Sequence, residues 1–175
     1  IKAKVLAVGG WGDAYKNAVP QLIEALPGAK GIVGPWVHKY PHFAIPEPRI
    51  GFLQEALRWW DRWLKDIDTG VEDDPDYRAY LMDGMRPATW VLERPGRWIA
   101  EATGATSHLP TQSLYLTDAG LAPAPGTLNA TVASPAHCGA SAGEYCAIWL
   151  GPEMPGDQRQ DDALSTTFDS GPLSE

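Results

Sequence analysis

The first apolar block, Val5-Leu6-Ala7-Val8, is unbroken by polar residues and stops at Gly9 and Gly10, the pattern of a buried parallel strand that delivers a loop to the carboxyl edge of its sheet. Functional groups collect at that edge. Val19, Leu22, Ile23 and Leu26 then recur at helical spacing until Gly28 stops the run, and Ala29-Lys30-Gly31-Ile32-Val33-Gly34 supplies a second strand. These segments predict one β-loop-α-β crossover. From Ile50 to Lys65, Leu53, Leu57, Trp60 and Leu64 fall at spacings of four, three and four, with Trp59 and Trp63 widening the stripe. The spacing predicts an amphipathic helix with a buried aromatic seam, and Arg58, Asp61, Arg62 and Lys65 on its other face.

The pattern changes beyond that helix. Asp66 to Asp76 is acidic and carries Gly70 and Pro75, which reads as a linker. Short β-type runs follow between Pro/Gly turns, at Tyr77 to Met82, Thr89 to Leu92, Ser113 to Thr117 and Leu128 to Val132. Their spacing predicts an antiparallel β-sandwich. The expected division is therefore an α/β unit over residues 1–72 and a β unit over 73–175. No internal repeat is present, and the Pro/Ala-rich Leu121 to Gly126 reads as a local turn.

At 175 residues with 44% hydrophobic content, the chain can bury a sizeable core. Its net charge of −8, from 14 Lys+Arg against 22 Asp+Glu, is broken by no basic stripe, which excludes nucleic acid as a partner. No apolar stretch approaches the ~20 residues that span a bilayer, so no membrane association is expected. The opening residues Ile1 to Leu6 read as a strand entry rather than a leader, and two cysteines make no disulfide framework; a cytoplasmic location is the expectation. The chain lacks an initiator Met, and the alternating pattern from Leu164 to Asp169 has no evident closing strand. Both ends are expected to be cuts, and the surfaces so exposed to favour a homo-oligomer.

Asp13 closes the turn Gly9-Gly10-Trp11-Gly12-Asp13 after the first strand, and His38 follows the second in Gly34-Pro35-Trp36-Val37-His38, 25 residues later. An acid and a histidine, each just past a buried strand and one crossover apart, are what an α/β-hydrolase uses to orient and charge-compensate its general base. Either residue alone would be a turn former or an ordinary surface group. His42, past the Pro41 turn, reads as loop surface. Gly139-Ala140-Ser141-Ala142-Gly143 satisfies the G-x-S-x-G nucleophile pattern, but it lacks the strand before and the helix after, and it follows the acid and the histidine rather than preceding them. It reads as a small-residue loop. Cys138 and Cys146 read as buried thiols, with a disulfide as the alternative. His137 with these cysteines lacks a fourth zinc ligand, and Asp157, Asp161 and Asp162 lack EF-hand spacing, so neither a metal nor another cofactor is expected.

The chain resembles the CocE/NonD and X-Pro dipeptidyl-peptidase type of serine hydrolase, the group that includes cocaine esterase. The resemblance rests on GGWGDAY at 9 to 15, GPWVHKYPH at 34 to 42, IGFLQEALRWWDRWLK at 50 to 65, RPGRW at 94 to 98, SLYLTDAGL at 113 to 121 and DQRQDDALSTTFDSGPL at 157 to 173. It implies the C-terminal part of an α/β-hydrolase domain followed by part of a jelly-roll β-sandwich domain, with the acid at Asp13, the base at His38 and the serine upstream of this chain. It further implies acyl transfer on a small-molecule ester, amide or peptide, X-Pro peptides among them. Tyr15 and Tyr40, each two residues past a member of the pair, would flank the site and bind substrate by lining an acyl pocket. A fragment without its serine is expected to be inactive alone. The alternative is a β-sandwich module that binds a ligand or a partner and has no catalytic role.

Overall fold

The structure is a computed structural model and describes residues 2–86, 88, 91–101, 112–143 and 156–172. Strand β1 (Leu6–Gly10) pairs in parallel with β2 (Lys30–Gly34), and helix α1 (Ala18–Ala25) connects them. The predicted crossover is present. A second helix, α2 (Phe52–Lys65), precedes β3 (Tyr77–Met82), which joins β2 in parallel with Gly31 opposite Tyr77. Strand β4 (Gly96–Glu101) then returns antiparallel to β3, completing a mixed sheet of order β1-β2-β3-β4.

Successive residues on a strand face opposite sides of a sheet, and β2 uses both sides. Val33 packs with Ala7, Val19, Ile23, Tyr77 and Ala79 beneath α1. Ile32 packs with Trp36 and Ala44 on the other side, with Leu6, Val8 and Ile50 against them. Ile32 and Val33 are 1% and 0% exposed, and full burial of each such side chain is worth about 1.5–3 kcal/mol. Gly31 lets α1 lie close, since a Cβ there would stand 2.2 Å from Cδ1 of Ile23.

Three expectations change. The Tyr77 to Met82 run does not open a separate antiparallel unit; it extends the first sheet, because Tyr77 and Ala79 find the α1-side core while Arg78, on the opposite face, reaches α2. The acidic stretch is no free linker either. Arg58 donates to both carboxylate oxygens of Asp74 at 3.1 and 3.2 Å, Arg62 pairs with Glu72 and Asp66, and Lys30 donates to Asp76 at 2.9 Å and to the Glu72 carbonyl at 3.1 Å. The loop is a charge-paired strap from α2 back to β2.

The third change is the rotation of α2. Leu53, Leu57, Trp60 and Leu64, predicted to be buried, are between 55% and 77% exposed, whereas Ala56 and Trp59 are buried. A second stripe, Phe52-Ala56-Trp59-Trp63, has the same four-three-four spacing one residue earlier. That stripe turns inward because the rotation also brings Glu55 to Arg78, at 2.9 and 3.0 Å, and Arg58 to Asp74. Bidentate pairs of this kind are the strong ones. Asp66, in the left-handed region at φ 56°, ends the helix, and its short polar side chain tolerates that conformation.

Of the later β-type runs, Tyr115–Thr117 forms β5 and pairs with β6 (Gly120–Ala122) in a two-stranded hairpin. Residues 128–132 carry no regular structure and are exposed, and Val91 and Leu92 lie in a loop; Thr89 and Trp90 fall outside the described residues. A short helix, α3 (Arg159–Leu164), follows, and the Asp169 carbonyl accepts from the Leu121 amide at 2.9 Å. Leu164 to Asp169 is thus a helix end and an extended tail rather than a strand. Among the described residues no helix is long and apolar enough to cross a membrane.

The hydrogen bond from Arg62 holds the Glu72 carboxyl below the ordinary glutamate range. A lowered folded-state value contributes stability above the unfolded value of about 4.3, and that stability is lost as pH falls through the folded one. Urea midpoints measured from about pH 6 down to about pH 3 are therefore expected to fall less in Glu72→Gln than in the unmodified chain.

Candidate functional site

Two loops leave the carboxyl ends of β1 and β2 side by side, and backbone hydrogen bonds keep them so. The Trp11 amide donates to the Gly34 carbonyl and the Gly12 amide to the Trp36 carbonyl, each at 2.9 Å, continuing the strand pairing past the last residues of both strands. Glycine at position 10 is required by this approach: a Cβ there would sit 2.1 Å from the Trp36 carbonyl oxygen. The indoles anchor the loops below, Trp11 Nε1 donating to the Tyr80 carbonyl and Trp36 Nε1 to the Pro48 carbonyl, both at 2.8 Å.

This framework brings Asp13 and His38 together. Asp13 Oδ2 lies 2.6 Å from His38 Nδ1, and Asp13 Oδ1 accepts the Tyr15 amide at 2.9 Å. The carboxylate side chain is 11% exposed and the imidazole 48%, so the acid stands behind the ring and the ring faces water. An ionised carboxylate only accepts hydrogen bonds. In the neutral ring Nδ1 therefore carries the proton, and Nε2 has a lone pair with which to take one from another group.

The pair borders an open cavity of about 500 Å³ lined by Val8, Gly9, Gly10, Val37, Lys39, Tyr40, Pro41, Phe43 and Phe52 as well. Tyr40 is in that lining, and Tyr15 meets the His38 ring edge-on at 5.8 Å; both tyrosines are 63% exposed. His42 is not plain loop surface. It is half-buried and stacks on Tyr40 and Phe52 at 6.1 Å each, with Phe43 edge-on at 4.7 Å. The closely spaced rings at 40, 42 and 43 are the sequence signal for this cluster; the contribution of Phe52, from another element, is not visible in sequence.

Ser141 does not line this cavity. Its segment is a series of turns with no strand before it, held by the bond from the Ser141 amide to the Asp161 carboxylate at 2.9 Å. Cys138 is a free, half-buried thiol beside the Asp161 carbonyl, and Cys146 lies outside the described residues. Arg159 pairs with Asp157 and lowers its carboxyl to about 2. Among the described residues no three or more His, Cys, Asp or Glu side chains converge as metal ligands.

Comparison with protein-family models, curated proteins and solved structures returns no match to this chain.

Two outcomes are expected from the geometry. Gly10→Ala forces the loops apart and destabilises the fold by about 1–3 kcal/mol, as an overpacked core does, measurable by urea unfolding. In ¹⁵N-detected spectra the neutral His38 ring is expected to carry its proton on Nδ1, and Asp13→Asn to shift the population toward the Nε2–H form.

Proposed function

We propose that this chain carries the acid and the general base of a serine hydrolase of the CocE/NonD and X-Pro dipeptidyl-peptidase type, and that the nucleophilic serine lies upstream of Ile1. In this reading the sheet through β4 belongs to the end of an α/β-hydrolase domain, and the residues beyond it to the start of a jelly-roll domain. The observation that carries it is the 2.6 Å contact between Asp13 and His38 at the ends of two adjacent parallel strands. The sequence segments that resemble the family supply the rest of the support.

The chemistry follows from the proton arrangement. The serine hydroxyl attacks an ester or amide carbonyl and passes its proton to Nε2 of His38, while Asp13 holds the ring in the Nδ1–H form and stabilises the imidazolium. The same proton then goes to the departing alcohol or amine. Water repeats the sequence on the acyl-serine and releases the acid. Tyr15 and Tyr40 flank the imidazole as substrate-contacting groups.

In the protein extended upstream to include its serine, His38→Ala and Asp13→Asn are each expected to lower kcat toward a p-nitrophenyl ester by roughly 10⁴-fold. The 175-residue chain alone is expected neither to turn over that ester nor to label with a fluorophosphonate. Labelling of the isolated chain would overturn the placement of the serine, and full activity in His38→Ala would overturn the reaction class.

A further inference from the structure

We propose that the aromatic residues beside His38, namely Tyr40 and Phe43 on its own loop with Phe52 at the start of α2, form a subsite for the ring of an uncharged arylmethanol leaving group, an inference that rests on the hydrolase reading of the Asp13–His38 pair. The cavity holding the pair has about 500 Å³, within the range of small-molecule sites. Its character is mostly apolar. Val8, Val37 and Pro41 line it together with the three aromatic rings, and Asp13, His38, Lys39 and the Tyr40 phenol contribute its polar side-chain groups.

The rings form a prepared wall. Tyr40 and Phe52 stack at 5.8 Å with 26° between their planes, and His42 lies parallel to Phe52 within 4°. His42 Nδ1 is buried with no hydrogen-bond partner among the described residues, and the ring packs by its face on Phe52. Tyr40 remains 63% exposed and Phe43 48%. Aromatic faces held open beside a reactive imidazole offer stacking to a flat ring, a preference that adds to plain apolar burial.

Position on the histidine loop assigns the leaving group rather than the acyl group. When the carbonyl carbon bonds to the serine oxygen and the tetrahedral intermediate collapses, the bond from carbon to the leaving oxygen breaks. That oxygen takes the proton held on His38 Nε2 and departs as a neutral alcohol. Tyr40 and Phe43 stand two and five residues beyond the group that delivers this proton. An arylmethanol departing from His38 would leave into the cavity that these rings line.

Benzyl alcohol titrated into the 175-residue chain is expected to bind saturably, with affinity on the order of millimolar, and to move the ring resonances of Tyr40, Phe43 and Phe52, whereas ethanol does not. Tyr40→Ala, at an exposed position, and Phe52→Leu are each expected to weaken it by roughly fivefold to tenfold, and Asp13→Asn to leave it in place. A response that does not saturate, or one indifferent to both aromatic substitutions, overturns the subsite. In the protein that includes its serine, the ratio of kcat/KM for benzyl acetate over ethyl acetate is expected to fall roughly tenfold in Tyr40→Ala. Equal losses on the two esters overturn the leaving-group assignment. Absence of any esterase activity in the unmodified protein sinks the hydrolase reading and the leaving-group role with it, while the titration still decides whether the aryl site exists.

Discussion

The parallel pairing of β1 with β2, from Leu6 opposite Lys30 to Gly10 opposite Gly34, is the constraint on which the other features depend. Parallel strands require a crossover, and α1 provides it while covering the core around Val33. The same pairing brings both strand ends to one edge, where the ladder runs on through Trp11 and Gly12 into the loops. Asp13 and His38 meet because their backbones are already in register. Displacement of either strand by one residue would turn its side chains to the opposite face and move its loop by about 3.3 Å, more than the whole length of the Asp13–His38 contact.

The electrostatics divide between two regions with different purposes. Around α2, Arg58, Arg62, Arg78 and Lys30 are matched by carboxylates from Glu55 and the loop before β3, and the Asp74 hydrogen bond raises Arg58 further into its charged form. Fully exposed pairs contribute little individually, but several converging on one loop fix where α2 sits. At the strand ends the single carboxylate is instead shielded from water and committed to one imidazole. The first arrangement orders a helix; the second orders a proton.

Local features carried much of this in the sequence. The apolar runs before Gly9 and Gly34, and the helical spacing between them, specify the crossover, and the placement of Asp13 and His38 just past those runs was enough to pair them. What was illegible depended on distant partners. Two stripes on α2 share one spacing, and the choice between them rests on Arg78 and Asp74, 23 and 16 residues away from Glu55 and Arg58. The acidic stretch read as a linker for the same reason, since nothing in its own composition names the cations that bind it. The Tyr77 to Met82 run looked like part of an antiparallel array because alternation along a strand does not reveal the direction of its neighbour. His42 reads as loop surface in sequence because the ring that helps bury it, Phe52, comes from α2.

The loop-to-loop hydrogen bonds at Trp11 and Gly12 use amides and carbonyls only. The separation of the acid from the histidine thus rests on groups that every residue type except proline possesses, and truncating side chains one by one would leave these bonds unprobed. Sensitivity falls on sites such as Gly10, where added bulk meets a carbonyl, and on the Trp11 and Trp36 indoles that anchor the loops. Other positions in these loops can therefore vary while the spacing of the two reactive groups stays constant, so long as the positions of closest backbone approach keep their glycines and the two indoles keep their anchors.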